Sequence, residues 1–216
     1  MANKLGLENL LLLSDNNCCS MKDLKKDTFE FFKKVAGYDT LRLILCKKAI
    51  LVEGDSDELV VQRAYMDTHD GRLPIQDGID VMTVGGVTFK RYLEIALILQ
   101  KETAVVTDND GDIEAAKKKY NDYEEIPYIK ICFDEEVDTG DLKLSDKDFN
   151  YNTLEPKILK ENGRVVLNGI FGTTYQTDED MHKYMRGHKT DCAIAIFESH
   201  TKIKYPKYIM RAIKNE

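Results

Sequence analysis

The spacing of hydrophobic and polar positions changes period several times along this chain, and each change marks an element. Leu24, Phe31, Phe32 and Val35 recur at helical spacing with Thr28 on the same face; Ser20 and Asp23 form a capping-box pattern ahead of them, and Gly37 closes the run. This predicts an amphipathic helix. A strand is expected upstream over 8–13 and a second helix downstream over 38–46. The pattern then alternates: strand 49–53, helix 56–66, strand 80–84, helix 88–100, strand 104–107, helix 112–120 and strand 128–133, with Gly85 and Gly86 at the turn into the second of these helices. Strands alternating with helices of this length imply right-handed crossovers and a parallel sheet covered on both faces, an α/β fold. Past Asp134 the signal weakens: 155–160, 178–186, 190–198 and 206–213 read as helical, and 164–170 fits either state.

A parallel sheet gives the acids a meaning, because open α/β sheets bind ligands at the C-terminal ends of their strands. Ile50-Leu51-Val52-Glu53-Gly54-Asp55-Ser56-Asp57 ends one strand and Val105-Val106-Thr107-Asp108-Asn109-Asp110 ends another. Gly54 permits a sharp exit after Glu53, and Asp57 lies four residues on, where the start of a helix turns its carboxylate back to the crevice. Asp108 and Asp110 flank Asn109, so an extended segment directs both to one side, and Gly111 permits the turn that follows. Four carboxylates brought together without a cation would raise one another's proton affinity. Hard oxygen donors of this kind suit Mg2+, Mn2+ or Ca2+ better than zinc. Either motif alone would equally suit a polar loop whose aspartates cap the next helix, the role expected for Asp112 and Ser56. The pair, in this order and strand context, argues for a metal site. An EF-hand loop is excluded, because Gly111 falls two places early and the twelfth position is Lys119 rather than Glu.

Composition sharpens this picture. The 216 residues, 43% hydrophobic and 32% charged, with 4 Pro and 13 Gly and no repeat, describe an ordered domain with room for a smaller appendage. No apolar run is long enough to span a bilayer and no signal peptide is evident, so a cytoplasmic location is expected, with no membrane partner. Cys18, Cys19, Cys46, Cys132 and Cys192 are an odd set without a C-x-x-C pair and read as reduced, mostly buried thiols, the adjacency of Cys18 and Cys19 being incidental. A net charge of −7 argues against nucleic acid as a partner, but the acids cluster in the two motifs and 134–148, whereas the lysines form separate groups at 22–34, 117–119 and 202–207.

Glu53-Gly54-x-x-Asp57 followed by Asp108-x-Asp110 on a separate strand resembles the Toprim domain. More specifically, 50–58, Val84-Gly85-Gly86 with Phe89, 106–110, Thr153-Leu154-Glu155 and Lys189-Thr190-Asp191 resemble the overcoming-lysogenization-defect (OLD) nucleases over about 39–196, and 29–34 is similar to an earlier helix of that family. The resemblance implies a Toprim-type parallel sheet flanked by helices with small additional helical segments. It divides the chain into an N-terminal extension, 1–46, and a catalytic domain, 47–216, with a helical insertion around 155–188. It also implies a DNA endonuclease using two divalent ions, Mg2+ or Mn2+ with Ca2+ able to bind, one activating water and the other stabilising the leaving oxygen. By position, Glu53, Asp57, Asp108, Asp110 and Glu155 are the implied metal ligands, with Glu53 and Lys189 catalytic and Lys189 set against the phosphate. Thr107 and Thr153 are further candidate oxygen contacts, and Asp112 a candidate support behind them. Asp57 stands where members of the family have Asp or Glu.

Proteins of this family carry an ABC-type ATPase ahead of the Toprim domain, yet the chain has no Gly-Lys dipeptide and so no phosphate-cradling P-loop. It is therefore expected to be the nuclease part of a longer protein, or a stand-alone form whose ATPase is lost or supplied by another chain, with that ATPase region as the route by which oligomers could form. Topoisomerase and primase readings lack their DNA-gate or zinc modules. Two alternatives stay open: a small Toprim RNA-processing nuclease, and a non-catalytic metal-dependent nucleic-acid-binding or regulatory domain. Among the histidines His69, His182, His188 and His200, His188 is expected nearest the chemistry, as a surface residue.

Overall fold

The computed structural model describes residues 11–14, 17–35, 38–86, 88–140 and 150–214. Its centre is a four-stranded parallel sheet of β3 (Lys48–Val52), β4 (Ile79–Thr83), β5 (Glu102–Val106) and β6 (Ile129–Cys132), in the order β4-β3-β5-β6. All five residues of β3 are buried, which requires cover on both faces. Its side chains alternate accordingly. Ile50 and Val52 pack with Val60, Val61, Ala64 and Tyr65 of α3 (Asp55–Thr68), and with α8 (Lys189–Glu198) and α9 (Lys207–Ile213). Ala49 and Leu51 face the other core, with Phe89 and Leu93 of α4 (Phe89–Leu99) and Tyr120 of α5 (Ile113–Tyr120).

The N-terminal elements complete that second core. A hairpin of β1 (Leu11–Ser14) and β2 (Asn17–Ser20) leads to α1 (Lys26–Val35) and α2 (Tyr38–Leu45), which contribute Phe32 and Leu43. Arg42 forks onto Asp80 at 3.1 and 2.6 Å and also donates to the Val81 carbonyl, tying α2 to β4. The expected strand over 8–13 is β1 where described; residues 8–10 and Gly37 lie outside the described residues. The Ser20–Asp23 capping box is present, but it opens a single 3-10 turn, Met21–Asp23, and the α-helix starts three residues later. The adjacent cysteines lie in β2, a strand the hydrophobic pattern does not show, and Cys19 donates to the Ile98 carbonyl at 3.3 Å. Cys46, Cys132 and Cys192 are free, buried thiols whose burial pushes them up to about 11, 11 and 12.

The ambiguous 164–170 segment is helical, part of α6 (Leu154–Phe171), which breaks at Gly163 with φ 73° and ψ 156°. A side chain at that φ is strained, so glycine lets the helix stop and restart in place. Then come α7 (Asp178–Gly187), α8 and α9, and no helix among the described residues is long and apolar enough to cross a membrane. Leu51 is fully buried at the middle of β3. Leu51→Ala is expected to lower the unfolding free energy by about 2–5 kcal/mol, read by denaturant titration; a loss below about 1 kcal/mol would place the core elsewhere.

Candidate metal centre

β3 and β5 are neighbours, with Leu51 opposite Val105, but the chain leaves them in opposite directions. From β3 it turns into α3 on one face of the sheet, and from β5 into α5 on the other. Such divergence opens a crevice at the strand ends. Two residues beyond the Leu51–Val105 pair, Glu53 and Thr107 come level, and the Thr107 hydroxyl donates to Glu53 Oε1 at 2.5 Å. A Cβ on residue 86 would stand 3.1 Å from the same carboxylate, so Gly86 leaves Glu53 its space. The Gly54 amide donates to Asp57 Oδ2 at 3.1 Å, which turns Asp57 back toward the strand end as expected. Ser56 is not the cap of α3: Gly54 holds that position and Ser56 lies inside the helix.

The second motif departs further from its expected shape. Asp110 is not extended but sits in the left-handed region at φ 49°, and Gly111 follows at φ 82°. Asp110 is exposed and accepts from Asn150 Nδ2 at 2.9 Å, while its charge still reaches Asp108. Asn109, a spacer in the sequence pattern, is the anchor of the loop: its buried amide donates to the carbonyls of Asp134 and Glu136 at 2.8 and 3.0 Å and accepts from the Gly111 amide. Asp112 caps α5, accepting from the Ala115 amide at 2.9 Å.

Glu155, buried in the first turn of α6, pairs with Lys189 of α8 at 3.0 Å, and the Thr153 hydroxyl reaches its other oxygen at 3.4 Å. Tyr208 of α9 is buried and donates to Asp108 Oδ1 at 3.3 Å. Only tertiary packing reveals it, since a tyrosine in a short apolar helix carries no signal of its own. His182 also lies within electrostatic reach of this site. His182 is buried on α7, and burial pushes it down to about 4 although Glu155 pulls the other way. Its place among the apolar positions Met181 and Met185 was the available signal. His188 is exposed and stacks on Tyr184.

These acids sense one another. Burial, reinforced by Glu53 and Glu155 and opposed by the Gly54 amide, pushes Asp57 up to about 6. Burial, then Asp57, Glu53, Asp110 and Glu155, raise Asp108 well above the usual carboxylate range. The same burial, with Asp108 next in weight, raises Tyr208, so its phenol stays a donor. Among the described residues, however, no three His, Cys, Asp or Glu side chains stand close enough to enclose one ion. The carboxylates ring a crevice and repel across it. A hard divalent cation fits this donor set, because all the candidate ligand atoms are oxygens and their charge is only partly offset by Lys189.

For a carboxyl group whose value is higher folded than unfolded, the contribution to stability is present below its unfolded value and lost as pH rises through the folded one. The metal-free protein should therefore lose stability as pH rises from about 4 through about 6, the value for Asp57, and Asp57→Asn with Asp108→Asn should remove that loss. Thermal unfolding of both proteins in chelator across this window tests it. Parallel pH profiles for the two would show that the acids do not repel.

Residues 44–110 match the sequence profile "Overcoming lysogenization defect protein-like, TOPRIM domain". The match contains Glu53, Asp57, Asp108 and Asp110 and stops short of Glu155 and Lys189. No curated protein matches the chain. Among solved structures, the C-terminal region of the Burkholderia pseudomallei OLD protein is similar over 78% of this chain and 95% of its own, at 18% identity and a TM-score of 0.55. The C-terminal region of the Xanthomonas campestris pv. campestris OLD protein is similar over 80% and 92%, at 20% identity and a TM-score of 0.50. The chain carries an OLD-like TOPRIM domain, set in the fold shared with the C-terminal regions of OLD proteins.

Proposed function

We propose that this chain is a divalent-metal-dependent DNA endonuclease, working with an ABC-type ATPase carried by another domain or chain. The observation that supports this most is the placement of Glu53, Asp57, Asp108 and Glu155, from four different elements, around one crevice where Asp57 and Asp108 are held above their ordinary proton affinity. A cluster that costs stability in the metal-free state makes sense as a charge-hungry site. Glu53, Asp57, Asp108 and Glu155, with Asp110 after a turn of its loop, would hold Mg2+ or Mn2+. When bound, such ions supply the positive charge that activates water and steadies a phosphodiester under attack.

The protein's own groups then have distinct tasks. Thr107 fixes one oxygen of Glu53 and leaves the other to accept. Tyr208 fixes one oxygen of Asp108. Lys189 is about half exposed, so its ammonium can pass from Glu155 to a phosphate oxygen. His182, kept neutral by burial, adds no charge to compete with Lys189 near pH 7. One observation favours the second reading, a non-catalytic domain that docks nucleic acid through metal: among the described residues no three of the acids stand at enclosing distances.

Plasmid DNA separates the two readings. The purified chain should nick or cut it with Mn2+ or Mg2+ and without ATP, and Glu53→Ala or Asp108→Ala should abolish cutting while the proteins stay folded by circular dichroism. Cutting that survives in both variants would remove the site assignment. Metal-dependent retention of DNA with no cleavage under any ion would establish the docking reading instead.

A further inference from the structure

Two of the three lysine groups noted in the sequence, 22–34 and 117–119, meet at the two sides of one helix. α1 packs antiparallel along α4: Cys19 ahead of it reaches the Ile98 carbonyl, Thr28 donates to Glu94 at 2.7 Å, Phe32 meets Tyr92 edge-on at 5.2 Å, and Arg91 lies 4.7 Å over Phe31. The C-terminal end of α1, with Lys33 and Lys34, is thereby brought to the N-terminal end of α4, where Lys90 sits. That end of α4 follows directly on Gly86, the residue in contact distance of the Glu53 carboxylate. From the other side, Lys119 of α5 extends its ammonium over the rings of Phe89, 5.9 Å, and Tyr120, 5.1 Å, and Lys118 is its neighbour.

Lys33, Lys34, Lys90, Lys118 and Lys119 are all exposed, and none has an ion-pair partner among the described residues. Lys33 also lines a groove with Lys22, Leu24, Lys26 and Phe29. The opposite side of the site differs. Beyond β6, Lys157, Lys160 and Arg211 are each matched by Asp134, Asp138 or Glu135. In a protein of net charge −7, five lysines without an ion-pair partner among the described residues thus stand along one border of the acidic crevice.

We propose that Lys33, Lys34, Lys90, Lys118 and Lys119 form the surface on which the phosphate backbone of a DNA duplex docks, placing a phosphodiester at the Glu53 side of the site. This rests on the DNA reading above and adds where the duplex lies. Lysines act here as point charges that neutralise phosphates and release counterions, so they carry affinity without sequence preference. A polyanion is drawn to this border and repelled by the acids until metal is bound, which couples docking to loading of the site.

The test is the salt dependence of binding, measured by fluorescence anisotropy with a short labelled duplex in chelator. The slope of log K against log salt should fall in magnitude by about 0.9 for each phosphate that is no longer neutralised. Lys33→Ala with Lys34→Ala, and Lys118→Ala with Lys119→Ala, should each weaken binding and reduce the slope by roughly 2. Lys202→Ala with Lys204→Ala, exposed lysines between α8 and α9, should leave it unchanged. An unaltered slope in both test pairs, an equal loss in the Lys202/Lys204 control, or capture of phosphatidylserine vesicles through these lysines without duplex binding would overturn the assignment. Cutting by the unsubstituted chain, measured beside these slopes, separates this inference from the nuclease reading. Binding through the lysine border with no cutting by the unsubstituted chain would keep the surface and discard the nuclease, while cutting with salt slopes unmoved would do the reverse.

Discussion

Carboxylates gathered at the ends of two parallel strands repel one another, and their partial burial weakens the screening that water provides. The chain meets that force by distributing the acids over β3, α3, β5 and α6 and giving each its own restraint. Thr107 holds Glu53, the Gly54 amide holds Asp57, Tyr208 holds Asp108 and Lys189 holds Glu155. Each hydrogen bond to an anion is stronger than a neutral one in the same surroundings. Even so, Asp57 and Asp108 keep raised proton affinities, so the restraint is incomplete without a further positive charge.

Such restraint works only on a frame that does not yield. β3 is buried along its whole length, and its two faces belong to two separate cores. One is built by α3 and the C-terminal helices; the other needs α4 and the N-terminal helices. The segment before β3 is therefore part of the support of the site, through Phe32, Leu43 and the Arg42–Asp80 fork, and it also carries part of the basic border. The acids of the site and the exposed lysines of that border lie on different elements, so, the Lys189–Glu155 pair aside, the acids can converge without being neutralised by the lysines that flank them.

The alternation of elements, the parallel sheet and the placement of Glu53 and Asp108 at strand ends were legible because they depend on near neighbours. Burial with period two or 3.6 leaves its mark within a few residues, and a glutamate followed by glycine at the end of an apolar run has few other uses. Glu155 and Lys189 became candidates only through resemblance to a known family, since a glutamate before a proline and a lysine before a helix have ordinary surface roles. Their ion pair across 34 positions is a product of packing α8 against α6.

What the sequence alone determined was the order of elements, the α/β class and the pair of acidic motifs, because these follow from local periodicity and from the chemistry of carboxylates at a strand end. Tertiary structure alone decided that Asp110 takes a left-handed backbone, that Asn109 anchors its loop, that His182 is buried within reach of the Glu155 charge, and that Tyr208 reaches back 100 residues to Asp108. Backbone angles in a loop are set by what its ends must join, and contacts between distant helices by which faces the cores bury; neither leaves a local trace.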